Sequence, residues 1–217
     1  MVPERADSVV AELCRLCERA VADLPAAGAG LSVSAVDKQF GLLAAADPVS
    51  ERLEELQFVL GEGPCVDAVA AGQPVLVGDI ATDGPVRWPA YAPAVLEAGM
   101  SATFAFPLQV GAAQLGVMDL FRASPGELSA AELVRAFALA DEAIAILLDG
   151  GTRIDEEQPI AGPPELFQAQ GMVMVQIGGT LAEAMARIRA HAYVHSRRLA
   201  DIAREIVTRE LRFDRDG

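Results

Sequence analysis

Apolar residues recur at intervals of three and four along some stretches of the chain and run almost continuously along others. The first stretch, residues 4–24, carries one apolar face and predicts an amphipathic helix that ends before Pro25. Apolar runs at 31–37 and 40–46 then predict two strands joined by a tight turn at Lys38 and Gln39. This order of elements predicts a helix followed by the first two strands of a sheet.

A second group of elements follows this hairpin. A helix is predicted to begin at Pro48 and to end at Gly61, and a short helix is predicted over 65–71. A strand is expected over 74–80, and a loop over 83–89. The apolar face of the Pro48 helix is predicted to consist of Leu53, Leu56, Val59 and Leu60.

The strongest hairpin pattern comes next, where apolar runs at 101–110 and 114–121 flank a turn that begins at Gly111. Ser129 and Glu132 then form a capping box, which predicts a long helix. This helix is apolar over much of its circumference, so it needs two surfaces to bury against. A second copy of the chain can supply one surface, which favours a homodimer. Burial within a single domain is the alternative.

Residues 150–164 are polar, contain prolines and predict a linker. Beyond it, the pattern predicts three short helices, the second of which begins with a capping box at Thr180 and Glu183. The predicted fold class is therefore α+β, with an N-terminal antiparallel sheet flanked by helices and a C-terminal all-α bundle. The predicted domains are 1–149 and 165–217.

Composition narrows the class of protein. Of 217 residues, 52% are hydrophobic and 22% are charged, which is typical of a globular protein. No apolar run reaches the length of about 20 residues that spans a bilayer, and the acidic N-terminus does not resemble a signal peptide, so a cytoplasmic protein without membrane contact is expected. Three cysteines favour reduced thiols. Cys14 and Cys17 fit either a buried packing role, which is favoured, or a redox or metal half-site.

The N-terminal and C-terminal parts of the chain differ in net charge. Residues 166–217 contain eight arginines and six acids, whereas residues 1–165 contain nine basic residues and 25 acids. An acidic surface repels phosphate, so a nucleic acid would have to bind the C-terminal part. The whole-chain net charge of −14 hides this difference.

Three strings in the C-terminal part, AQGMVM, EAMARIRAHA and SRRLADIAREIV, carry a family pattern. In order and spacing they resemble the ANTAR domain of bacterial transcription antitermination regulators. The chain departs from that pattern at Gln170, where lysine is usual, and at Met185, where an aromatic residue is usual. The resemblance implies an RNA-binding domain that recognises stem-loops in nascent transcripts. The RNA-binding residues expected from it and from the residue chemistry are Gln170, Gly171, Met174, Arg189, His195, Arg197 and Arg198.

Residue chemistry supports RNA binding separately from the resemblance. Gly171 lacks a side chain, which lets a nucleic acid approach closely, and Arg189 is expected to point away from the helix core. Guanidinium groups bind phosphates or stack on unpaired bases. The alternative is that these arginines are solvated or pair with Glu183, Asp201 or Glu205.

The N-terminal strings GEGPCVDAVAAGQPVLVGDI, RWPAYAPAVLEAGMSATFAFPL and LGVMDLF resemble GAF domains fused to ANTAR modules. The resemblance implies a small-ligand pocket between the sheet and the segment 63–88. It places Cys65, Asp79, Trp88 and Asp119 near an unidentified ligand. No cofactor is expected, because both histidines lie in the C-terminal part, away from any bilin or haem site. No metal site is predicted either, since His191 and His195 lack further ligands.

These observations predict a regulator without enzymatic activity, in which a sensory domain controls RNA binding and transcription antitermination. A signal in the first domain would bring two C-terminal modules into register on RNA. Two alternatives remain. The C-terminal bundle could bind protein instead of RNA, or the chain could resemble the GAF-like reductases of free methionine sulfoxide, which also use three cysteines.

Overall fold

A computed structural model of the chain describes residues 6–34, 40–150, 164–195 and 197–214. The chain divides into two compact units, Met1–Ala161 and Gly162–Gly217. The predicted turn at Lys38 and Gln39 and most of the predicted linker lie outside the described residues. Among the described residues, no helix combines the length and the apolar character needed to cross a membrane.

The first unit contains six helices and five strands within its described residues. The helices are α1 (Ala6–Asp23), α2 (Pro48–Leu60), α3 (Pro64–Ala71), α4 (Ile80–Arg87), α5 (Tyr91–Glu97) and α6 (Ala130–Gly150). The strands are β1 (Gly28–Ser34), β2 (Phe40–Ala45), β3 (Val75–Val77), β4 (Ala102–Val110) and β5 (Ala113–Arg122).

The strands form one sheet in the order β2-β1-β5-β4-β3, and every neighbouring pair is antiparallel. Both predicted hairpins are confirmed, since β1 pairs with β2 and β4 pairs with β5. Gly111 adopts φ 60 in the turn between β4 and β5, a left-handed conformation that glycine adopts without steric cost. The antiparallel sheet with flanking helices confirms the predicted α+β architecture of this unit.

Alternation along the strands gives the sheet two buried faces. Leu31, Phe106 and Leu120 face a core shared with α1 and α6. Ala105, Val117 and Phe121 face a second core, which contains residues of α2, α3, α4 and α5. Asp119 lies between Val117 and Phe121 on the same side of β5. Asp119 is therefore buried between the sheet and the helices of the second core.

Two predicted segments differ from the structure. The strand expected over 74–80 is limited to Val75–Val77, and most of the loop expected over 83–89 belongs to helix α4. Asp79 begins α4 by accepting a hydrogen bond from the backbone N–H of Ala81 at 3.0 Å. Gly84 and Pro85 both disfavour a helix. Burial of Ile80 and Gly84 against the core supports a helix here in spite of them.

The second unit contains three helices within its described residues, α7 (Pro164–Ile177), α8 (Leu181–Val194) and α9 (Leu199–Val207). Gly178 follows α7 with φ 66, and the capping box of Thr180 and Glu183 begins α8, as predicted. The buried residues of the three helices form the core of this unit, and they include Val173, Ile188 and Ile202.

Candidate functional site

The candidate site begins with a buried polar stripe on α2. Ser50, Glu54 and Gln57 recur at helical spacing, and all three are almost completely buried. Of the predicted apolar face, Leu53 is buried in the second core and the half-buried Leu56 and Leu60 pack against that core, but the prediction missed the buried polar residues beside them. The helix is rotated so that its polar stripe contacts polar groups on the sheet.

Small residues on the sheet make space for this stripe. Asp119 on β5 is paired with Gly30 on β1 and with Ala105 on β4. The side chain of Glu54 lies over Gly30, so closely that a Cβ atom on Gly30 would lie 2.5 Å from Cγ of Glu54. The absence of a side chain at Gly30 thus allows the two carboxyl groups, of Glu54 and Asp119, to meet inside the protein.

Hydrogen bonds connect these groups across four elements. The hydroxyl of Ser32 donates to Oε2 of Glu54 at 2.7 Å, and Nε2 of Gln57 donates to Oδ2 of Asp119 at 2.9 Å. Oε1 of Gln57 accepts from the backbone N–H of Cys65 at 2.8 Å. Gln57 therefore joins Asp119 to the first turn of α3, and both ends of its amide are used.

Oε1 of Glu54 and Oδ1 of Asp119 are buried, and neither accepts a hydrogen bond from a residue outside this carboxyl pair. Burial, and then the charge of Asp119, raise the pKa of Glu54 well above its usual range. Burial also raises the pKa of Asp119, to about 6, although hydrogen bonds from Glu54 and Gln57 oppose the rise. Near neutral pH, Glu54 is therefore a carboxylic acid that donates its proton to the Asp119 carboxylate.

Cys65 and Tyr91 complete the cluster. The acceptor atoms of Glu54 and Asp119 and the sulfur of Cys65 all lie within 4.8 Å of one another. Burial raises the pKa of the Cys65 thiol, and the two carboxyl groups raise it further, so the thiol stays protonated. The hydroxyl of Tyr91 and that of Thr103 are buried without a hydrogen-bond partner. Burial, and then Glu54, Asp119 and Cys65, raise the pKa of Tyr91.

The structure brings together two of the four predicted pocket residues, Cys65 and Asp119. Trp88 lies beside Tyr91 in an edge-to-face contact with ring centroids 6.3 Å apart, and its indole N–H donates to Asp67 at 3.1 Å. Asp79 caps α4 and is partly exposed. A ligand contact of Trp88 or Asp79 stays a prediction.

Sequence reasoning missed Glu54, Gln57, Ser32 and Tyr91. The sequence does contain a pattern that could have identified the first two, because the polar residues at 50, 54 and 57 share one face of the predicted Pro48 helix. Ser32 and Tyr91 carry no such signal, since serine in a strand and tyrosine at a helix start are common in any fold.

The other two cysteines lie on α1, and all three cysteines are free thiols. Cys17 is fully buried in the core that α1 and α6 share, whereas Cys65 belongs to the core on the other face of the sheet. Burial, and then the neighbouring Cys14, raise the pKa of Cys17 to about 12. The favoured interpretation of Cys17 as a packing residue agrees with this burial.

The C-terminal candidates divide into inward and outward groups. Gln170 is only 4% exposed, and its Nε2 donates to the carbonyl of Leu181 at 2.9 Å, which ties α7 to the start of α8. Arg189 was expected to point away from the core, but it is half-buried, and this burial lowers its pKa. Met174 and Gly171 are half-buried as well. A Cβ atom on Gly171 would meet nothing within 4 Å.

The outward group, His195, Arg197 and Arg198, lies exposed at the junction of α8 and α9. Arg197 donates to both carboxylate oxygens of Glu205, at 2.6 and 2.8 Å. This bidentate pair is the ion-pair alternative that the sequence left open. The ring of His195 lies against that of His191, with centroids 4.3 Å apart.

Comparison with known proteins agrees with the fold of the first unit. The family model of the GAF domain matches residues 7–149. The chain belongs to the GAF domain family. No curated protein matches the chain.

Several solved structures share this fold over the GAF region. The type II free methionine-R-sulfoxide reductase from Thermoplasma acidophilum is similar with a TM-score of 0.54 and 16% identity, covering 66% of this chain and 94% of that one. The GAF domain of a phosphoenolpyruvate-protein phosphotransferase from Coxiella burnetii gives 0.53 and 18%, covering 67% and 85%. The photoproduct state of a GAF domain from Synechocystis gives 0.51 and 14%, covering 68% and 99%. At these identities the likeness shows the fold alone.

Proposed function

We propose that this protein is a regulator in which the GAF domain senses a signal and thereby controls RNA binding by the C-terminal helical unit. The RNA target is a stem-loop in a nascent transcript, and binding prevents transcription termination. The proposal joins the GAF family membership of residues 7–149 to the ANTAR resemblance of the C-terminal part.

One observation carries the RNA part of the proposal. The small and apolar positions of the ANTAR-like strings are buried in the second unit, whereas its basic residues at the α8–α9 junction are exposed. The buried positions are Ala169, Ala184, Ile188, Ala192, Leu199 and Ala203. These positions of the ANTAR-like strings lie in the core of the bundle, and the exposure of His195, Arg197 and Arg198 supports an RNA-binding surface at this junction.

The bidentate pair of Arg197 and Glu205 competes with RNA for the Arg197 guanidinium. A phosphate that binds the Arg197 guanidinium must displace the Glu205 carboxylate or share the guanidinium with it. Both side chains are about one-third exposed, so solvent and salt weaken their attraction. Glu205 therefore lowers RNA affinity without abolishing it.

Thiol chemistry receives less support. A thiol-dependent reductase needs a reactive thiolate and a second thiol that resolves the intermediate. Cys65 is buried as a protonated thiol, and the cysteines of α1 lie on the opposite face of the sheet. We infer that the GAF domain binds a ligand and does not catalyse a reaction.

An exposed stripe on α6 supports the proposed homodimer. Val134, Phe137 and Leu148 are 70%, 43% and 55% exposed, and their spacing places them on one face of the helix. A second α6 packed along this stripe would bury all three. Val134→Glu combined with Leu148→Glu should convert a dimer into a monomer in light-scattering measurements, and a monomeric wild-type chain would contradict the dimer.

RNA binding is tested with the full chain, a stem-loop RNA and a scrambled RNA of the same composition. The wild type should prefer the stem-loop, and its affinity should fall steeply with salt. Arg197→Ala with Arg198→Ala should reduce affinity at least tenfold and flatten the salt dependence, whereas Arg15→Ala with Arg52→Ala on the GAF domain should not. Glu205→Gln should increase affinity. Equal binding of both RNAs, unchanged by the first pair, would leave the C-terminal unit as a protein-binding bundle.

A further inference from the structure

We propose that Glu54, Cys65 and Asp119 form a binding site for a divalent transition-metal cation of the zinc type inside the GAF domain. All three residues of the site belong to the GAF domain. It therefore does not require the C-terminal unit to bind RNA, although a cation here would be a signal of the kind that the proposed function needs.

The first argument is the spacing of the donor atoms. The two carboxylate oxygens and the thiol sulfur lie within 4.8 Å of one another. A tetrahedral zinc ion with one sulfur and two oxygen ligands has ligand atoms roughly 3.4–3.6 Å apart, from bond lengths of about 2.3 and 2.1 Å. A contraction on the order of 1 Å, within reach of side-chain rotation, is enough to bind the ion.

The second argument is the set of buried polar atoms with no partner. Apart from the proton that Glu54 and Asp119 share, neither Oε1 of Glu54 nor Oδ1 of Asp119 has a hydrogen-bond donor, and the buried Tyr91 hydroxyl lacks a partner. All three side chains are more than nine-tenths buried. Buried polar atoms are nearly always satisfied by hydrogen bonds or by a ligand. A cation would satisfy both oxygens at once.

The third argument is support from surrounding residues. Ser32 orients the second oxygen of Glu54, and Gln57 orients the second oxygen of Asp119. Outer hydrogen bonds of this kind are typical of metal sites because they orient the ligands. One thiol with two carboxylates suits zinc, cobalt or ferrous iron better than calcium or magnesium, which prefer oxygen ligands alone.

On binding, one divalent cation replaces two protons, and no oxidation state changes. The metal-free site holds a protonated Glu54, a protonated Cys65 and an Asp119 carboxylate. The divalent cation forms bonds to the sulfur and to both carboxylates, and the carboxylic acid and the thiol each release one proton to the solvent. Three negative ligands and two positive charges leave the occupied site with a net charge of −1, the same as the metal-free site.

Cobalt(II) is the probe, because a thiolate ligand produces a near-ultraviolet charge-transfer band and a tetrahedral site produces visible bands. Full-length protein stripped with EDTA should show both on titration with Co²⁺, and Zn²⁺ should remove them. Cys65→Ser should abolish the charge-transfer band. Glu54→Gln, which keeps the size of the side chain, should weaken metal affinity at least tenfold, with native unfolding behaviour measured in parallel.

The matched control is Cys14→Ala with Cys17→Ala, since those thiols could bind a metal by themselves. This variant should keep the wild-type cobalt spectrum. The proposal is overturned if the wild type shows no such spectrum, if the spectrum survives Cys65→Ser, or if it disappears with the α1 cysteines. In the first case the shared proton alone occupies the carboxyl pair. The experiment contains no RNA, so its failure would leave the RNA-binding proposal standing.

Discussion

Gly30 lies directly opposite Asp119 in the antiparallel pair of β1 and β5. Because Gly30 has no side chain, Glu54 from α2 can lie flat over the sheet and bring its carboxyl group to that of Asp119. The buried carboxyl pair therefore depends on a glycine that has no chemistry of its own.

Gly30→Ala should displace Glu54. The new Cβ would lie 2.5 Å from Cγ of Glu54 and 2.8 Å from its Oε1, which is too close for either atom to stay in place. Overpacking of this kind costs about 1–3 kcal/mol of unfolding free energy. Chemical denaturation should detect the loss, and unchanged stability would mean that Glu54 can occupy another position.

Glu54→Gln should be tolerated, because the amide imitates the protonated carboxyl group. Its oxygen can accept from Ser32 while its NH₂ group donates to Asp119, so no buried atom loses a partner. At pH 8 we expect the unfolding free energy to stay within about 1 kcal/mol of the wild-type value, or to exceed it. A loss of about 3 kcal/mol or more would contradict the shared-proton arrangement.

The same pair predicts the pH dependence of stability in the presence of EDTA. The pKa of Asp119 is about 6 in the folded protein, against about 3.9 in an unfolded chain, so the folded state binds this proton more tightly. Its contribution to stability is complete below about pH 4 and is lost as the pH rises through 6. The raised pKa of Glu54 extends the loss above that pH. Glu54→Gln should flatten the decline measured by denaturation between pH 5 and 8.

Gly171→Ala separates the stability of α7 from RNA binding. A methyl group at this position would meet nothing within 4 Å, and alanine favours a helix over glycine by roughly 0.5–1 kcal/mol. The melting temperature should therefore rise. RNA affinity should fall if the nucleic acid approaches the bare backbone here, and a variant that gains stability while keeping full RNA affinity would remove Gly171 from the interface.

Arg122 at the end of β5 should be important for stability. Its guanidinium donates to the carbonyls of Pro25, Gly126 and Glu127 and to the carboxylate of Glu132. Since the side chain is only 11% exposed, Arg122→Met should cost about 3 kcal/mol by leaving these acceptors unsatisfied.

A matched control for Arg122 is available on the surface. Arg19 pairs with Glu142 at 2.5 Å, and its side chain is 48% exposed. Arg19→Met should change the unfolding free energy by less than about 1 kcal/mol. Similar losses for both variants would show that burial does not set the importance of Arg122.

Local patterns were sufficient to predict most elements of this chain. The capping boxes at Ser129 and Thr180 and the turn at Gly111 depend on residues close together in sequence, and the structure confirms all three. The segment around Gly84 and Pro85 was predicted wrongly. There, burial of Ile80 outweighs two residues that disfavour helices.

The amino-acid sequence by itself determined most of the helices, the hairpins, the two-part charge distribution and the family patterns, because each depends on neighbours along the chain or on composition. Only the tertiary structure decided that α2 turns its polar stripe inward and that Glu54 meets Asp119. Those two residues are far apart in the chain, and their contact depends on sheet register and on the empty space at Gly30. The structure also decided which C-terminal side chains reach the surface, since Gln170 is buried and donates to a carbonyl of another helix, whereas Arg197 is exposed and pairs with Glu205.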